Sequence, residues 1–102
     1  MIYNKLIRDK IPEMIEQNGG NAVIRQLSQE EFVRFLEMKL DEEAGEYHRD
    51  KTVEELADIL EVVYALAESI GCSKEELIKI YQKKHDDRGG FEKKLFLIAS
   101  EE

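Results

Sequence analysis

Three times along this 102-residue chain a hydroxyl residue is followed, three positions later, by a glutamate: Ser28 and Glu31, Thr52 and Glu55, Ser73 and Glu76. At that spacing the hydroxyl accepts from a backbone N–H of the first helical turn while the glutamate reaches back to the cap. Each pair therefore marks a helix start. Each also follows a break in the chain, at Gly19-Gly20-Asn21, Asp50-Lys51 and Gly71, and a fourth break stands at Gly89-Gly90. The single proline, Pro12, sits where it opens a helix. The pattern predicts helices over 10–18, 29–49, 53–70 and 74–88, with a short extended piece at 22–27. It predicts an apolar tail (FEKKLFLI, 91–98) that packs on the helices or on a partner chain. This describes one all-α domain over 1–102, an antiparallel helical bundle. A lone chain of this length buries a modest core, so completion of the bundle by oligomerisation is expected.

Charge narrows the function classes. The formal net charge is -8, with 37% of residues charged. An acidic surface repels a phosphate backbone, which argues against nucleic-acid binding. A phosphorylated ligand would need local cations or a metal. Cys72 is the only cysteine, so an intrachain disulfide and a cysteine-built zinc site are excluded, and it reads as a small buried or boundary residue. Charges interrupt MIYNKLIRDK before an apolar run develops, unlike a signal peptide. No stretch approaches the roughly 18 apolar residues of a membrane span, and a cytoplasmic location is expected.

The second and third helices carry the chemistry. The second has an apolar stripe through Phe32, Val33, Leu36, Leu40, Ala44 and Tyr47, lying within roughly 100° of arc. Glu43 falls inside this stripe, Glu46 lies at its edge, and Glu42 points to the other side. The third helix has a stripe through Leu56, Ile59, Val62, Val63, Leu66 and Ile70, with Glu55 inside and Asp58 at the edge. Glu54 and Glu61 point away. The short connection predicts an antiparallel hairpin that brings Glu43, Glu46, Glu55 and Asp58 into one small volume at the margin of a core. Like charges there repel, and each costs several kcal/mol to desolvate. A divalent cation compensates them directly. Oxygen donors without His or Cys select hard ions, Mg²⁺ or Mn²⁺.

The fourth helix supplies a cationic complement. Its stripe runs through Leu77, Ile80 and Tyr81 to Lys84 and Arg88, with Lys83 and His85 flanking, and Gly89-Gly90-Phe91 just beyond. Arg suits bidentate phosphate contact and Lys suits a point charge. A positive helix C-terminus complementing the macrodipole accounts for the same residues equally well. A second basic cluster, Lys5, Arg8 and Lys10, lies near the N-terminus. Metal, cations and acids together suggest phosphoryl chemistry. There is no Gly-rich phosphate loop of the Walker kind. His48 and His85 lack a nucleophile context.

Three segments carry a family resemblance: YNKLIRDKIPE at the start, KLDEEAGEY followed by EELADILEVVYAL in the middle, and KKHDDRGGFEKK near the end. Together they resemble the all-α nucleoside triphosphate pyrophosphohydrolases, the superfamily of MazG and phosphoribosyl-ATP pyrophosphohydrolase, and within it the small house-cleaning branch. The resemblance implies metal ligation by Glu43, Glu46, Glu55 and Asp58. It implies cleavage between the α and β phosphates of a nucleoside triphosphate, giving a monophosphate and pyrophosphate, with Glu42 as the water-activating residue. It also implies phosphate contacts from Lys84 and Arg88, with Asn4, Lys5, Arg8 and Lys10 as further candidates, and a homodimer or homotetramer. The stretch between Glu46 and Glu55 is shorter than the spacer common in MazG, so the hairpin turn should be tight. Two other readings stand beside this one: phosphoribosyl-ATP hydrolysis, and a non-catalytic helical module that binds nucleotide or metal.

Overall fold

The computed structural model describes residues 1–101. Among them are four helices and no strand: α1 (Ile11–Gln17), α2 (Gln29–Asp50), α3 (Val53–Ser69) and α4 (Lys74–Arg88). The all-helical class and the four predicted spans are thus borne out to within a residue or two. Residues 22–27 are irregular and pair with no strand.

Local chemistry explains the boundaries. Ser28 accepts from the Glu31 N–H while the Glu31 carboxylate accepts from the Ser28 N–H, a complete capping box. Ser73 caps α4 through the Glu76 N–H, and its hydroxyl donates to the Glu76 carboxylate. The boxes expected at Ser73 and Thr52 form only by half, the Glu76 carboxylate taking the Ser73 hydroxyl rather than its N–H. Thr52 Oγ1 accepts from the Glu55 N–H at 3.4 Å, but no return bond from the Glu55 carboxylate forms among the described residues, because that side chain turns into the acidic cluster described below. Each of the four sequence breaks contains a left-handed residue: Gly19 (φ 84°), Lys51 (φ 56°), Gly71 (φ 86°) and Gly89 (φ 80°). Only Lys51 takes that conformation with a Cβ, and its ammonium lies 5.4 Å from the centre of the Tyr47 ring.

The centre of the fold is the α2–α3 hairpin, joined through Lys51 and Thr52. Leu36 from α2 and Val62 and Ala67 from α3 are its buried apolar side chains. Most of the predicted stripes face this seam. Leu56 and Ile70 do not: both are exposed, as is Leu60. Helix α4 packs on α3 alone, through its first turns. Leu77 closes a cleft of about 280 Å³ against Val33, Val63, Leu66 and Ile70, and Lys74 Nζ stands 4.7 Å above the Tyr64 ring.

Beyond Leu77 the expectation for α4 is corrected. The helical stripe puts Ile80, Tyr81, Lys84 and Arg88 on the same side as the core residues, yet every described residue from Ile78 onward is exposed. The tail at 91–98 likewise packs on no part of its own hairpin. A single chain is therefore a hairpin with a projecting arm, extending 60 × 32 × 22 Å, rather than a closed bundle. No helix of the described residues is long and apolar enough to cross a membrane.

Candidate metal centre

The turn of the hairpin carries the acids. Glu43 and Glu46 sit one helical turn apart near the end of α2, and Glu55 and Asp58 one turn apart at the start of α3. The tight two-residue connection sets the pairs against each other. One carboxylate oxygen from each of Glu43, Glu55 and Asp58 lies within 4.8 Å of the other two. A second group, Glu42, Glu43 and Glu46, meets the same limit. Glu43 belongs to both and is the pivot of the cluster.

Burial makes the arrangement costly. Glu43 is only 7% exposed, the one buried charged residue among those described. Glu43 Oε2 and Glu55 Oε2 are both sealed from solvent and have no hydrogen-bond partner. A buried carboxylate oxygen without a donor loses its hydration for nothing in return. The electrostatics register this. Burial, and then the neighbouring Glu46 carboxyl, push the Glu43 carboxyl above the usual range, with Lys39 opposing. Desolvation, and then Glu46, Asp50 and Asp58, push Glu55 in the same direction.

Two cations flank the cluster. Lys39 Nζ lies 3.4 Å from Glu43 Oε1 and 3.5 Å from Glu42 Oε1, an i, i+4 and i, i+3 pairing on one helix face. The other is Arg8, carried by the N-terminal segment across 50 residues of sequence. Its Nη1 donates to Asp58 Oδ1 at 3.3 Å and its Nη2 to Glu61 Oε1 at 3.2 Å. Sequence reasoning missed Lys39, although its spacing from Glu42 and Glu43 was available as a signal. It also set Glu61 aside as pointing away. Glu61 does lie outside the cluster, but it anchors the guanidinium that reaches Asp58.

Of the predicted site residues, Glu42, Glu43, Glu46, Glu55, Asp58 and Arg8 are brought together. Glu42, expected on the far side of α2, reaches the group because its long side chain swings along the helix surface beside Lys39. Among the described residues no hydrogen bond or ion pair joins Asn4, Lys5 or Lys10 to it; Asn4 is exposed, and Lys5 lies over the Tyr3 ring. Lys84 and Arg88 are also elsewhere in a single chain. Arg88 lines a separate cleft of about 560 Å³ with His85, Gly89, Gly90, Lys93 and Lys94.

The donor set fits a hard divalent cation. All its atoms are carboxylate oxygens, two of them are buried and unpartnered, and the negative charge exceeds what Lys39 and Arg8 neutralise. No protein-family model matches the chain, and no solved structure does. A protein of Mycolicibacterium smegmatis (strain ATCC 700084 / mc(2)155), described as an uncharacterized protein, is 50% identical over 42 residues. That stretch is 41% of this chain and 43% of the relative, so less than half of either is matched.

Proposed function

We propose that the chain is a Mg²⁺-dependent nucleoside triphosphate pyrophosphohydrolase, with Mn²⁺ able to substitute. The observation that carries this reading is the pair of buried, partnerless oxygens on Glu43 and Glu55, within a cluster built only of carboxylates. Glu43, Glu46, Glu55 and Asp58 would hold the cation. When bound, it supplies positive charge to phosphate oxygens and lowers the pKa of water.

The chain's own residues do the rest. Glu42 stays solvent-exposed at the rim, where its carboxylate accepts the proton of the attacking water. The water oxygen bonds to the α-phosphorus, the bond to the bridging oxygen breaks, and nucleoside monophosphate and pyrophosphate leave. Arg8, held beside Asp58, offers a guanidinium on the same side for a phosphate oxygen. The family resemblance of the three sequence segments supports the same chemistry, on non-canonical nucleotides. The exposed apolar side chains of α3, α4 and the tail support a homodimer or homotetramer.

A panel of canonical and modified nucleoside triphosphates, with phosphoribosyl-ATP included, tests the reading in Mg²⁺ or Mn²⁺ with the products resolved. Pyrophosphate together with monophosphate, lost in Glu43→Gln, is the expected result. Orthophosphate with a diphosphate would overturn the reaction class. Binding without turnover would make the protein a nucleotide- or metal-binding module.

A further inference from the structure

The chain ahead of α2 is held to the hairpin chiefly through one side chain. Helix α1 packs on none of the other three helices. No residue of 1–27 is buried, and Leu6, Ile7, Ile11 and Pro12 are half-buried. Among the described residues, the side-chain bonds that join 1–20 to α2 or α3 are both made by Arg8, from Nη1 to Asp58 and from Nη2 to Glu61. Arg25 bonds Glu31, within the local cap of α2.

Arg8 is also the root of α1. Its carbonyl accepts from the Ile11 N–H at 3.1 Å and closes the turn that opens the helix. Helix α1 has seven residues and no side-chain cap, so its order depends on what anchors it. The guanidinium divides its fork between two carboxylates one helical turn apart on α3. Glu61 lies outside the acidic cluster. Asp58 belongs to it: one of its oxygens stands within 4.8 Å of oxygens of Glu43 and Glu55. Both ion pairs are open to solvent, with the Asp58 side chain 41% exposed and that of Glu61 55%. Pairs so exposed are weak, and a competing charge displaces them. A doubly charged cation among Glu43, Glu55 and Asp58 would claim the Asp58 carboxylate and repel the guanidinium beside it.

We infer that residues 1–17 form a strap latched by Arg8 to Asp58, and that closure of this strap and cation binding to the carboxylates oppose one another. In the latched state Arg8 neutralises a ligand that the cation needs. In the loaded state Asp58 turns to the cation, the guanidinium is released and α1 loses its anchor. Glu61, outside the cluster, gives Arg8 a place to return to. Linkage makes the effect reciprocal: the factor by which a cation opens the strap is the factor by which the latch weakens cation binding. The inference rests on the reading of the cluster as a metal centre and takes nothing from the nucleotide chemistry.

The test titrates the full ¹⁵N-labelled chain with Mg²⁺ after chelator treatment and follows its amide spectrum. Chemical shifts of α2 and α3 give the affinity, and heteronuclear NOEs over 6–17 give the order of the strap on the ps–ns timescale. In the wild type the NOEs over 6–17 should fall as Mg²⁺ saturates, while those of α2 and α3 hold. Arg8→Ala should show low NOEs over 6–17 with or without Mg²⁺, and should bind it about threefold more tightly than wild type. Arg8→Lys keeps the charge but not the fork, and should fall between the two on both readouts. Mg²⁺ binding that leaves the strap as ordered as before would overturn the inference and leave the metal centre standing. An Arg8→Ala affinity equal to or below that of wild type would do the same. No Mg²⁺ binding by either protein would overturn the inference and the metal centre together.

Discussion

Glu43 concentrates the conflict at the centre of the site. Its carboxylate is buried, lies beside Glu46, and has one oxygen without a donor, with Lys39 as its ion-pair partner. Replacing it with Gln removes the like-charge repulsion and leaves an amide that costs less to bury. The expected result in chelator is a gain of about 1 kcal/mol, seen as a higher midpoint in urea unfolding. The same variant should lose the stabilisation that Mg²⁺ or Mn²⁺ gives the wild type, about 2.7 kcal/mol at a hundredfold excess over Kd. Glu31 shows the opposite case. The Arg25 guanidinium, and then the Ser28 N–H, lower its carboxyl from the ordinary value of 4.5 to about 2. A depressed carboxyl stabilises the fold above its unfolded value and loses that contribution as pH falls. The α2 cap should therefore weaken between pH 4.5 and about 2, and a pH series of urea midpoints should show an Arg25→Ala variant losing less than wild type across that window.

At the scale of the elements, caps and left-handed residues decide where each helix stops. Gly71 holds φ at +86° with nothing within 4 Å of where a Cβ would stand. Gly71→Ala therefore meets no neighbour, and its cost is conformational alone, about 1 kcal/mol by denaturant unfolding. The half-formed box at Thr52 shows an element giving way to the site. Glu55 takes the position that a capping glutamate occupies, but its side chain serves the cluster, so the start of α3 keeps the Thr52 bond and forgoes the return bond. Ser28→Ala removes a reciprocal pair and should cost about 1 kcal/mol, whereas Thr52→Ala should cost less.

The whole molecule is under-buried for its length. Leu36, Val62 and Ala67 are its buried apolar side chains among the described residues, while α4 beyond Leu77 and the tail stay in solvent. Stability that depends on a second copy depends on concentration. The thermal midpoint should rise by several degrees between about 1 and 100 µM protein, and a midpoint that stays constant would mean that the single chain is the folding unit.

Helix positions, caps and the four acids were legible in the sequence because they are set by local spacing: three residues from hydroxyl to glutamate, and three from inward acid to edge acid on adjacent helices. Other features depend on how separate segments meet. Arg8 reaches Asp58 across 50 residues, and no periodicity records that. Lys84 and Arg88 share a helical face with Leu77, Ile80 and Tyr81, yet only Leu77 packs, because α4 leaves α3 after its first turns. A stripe states which side chains lie together on a helix; the direction the helix takes in space decides whether anything lies opposite them.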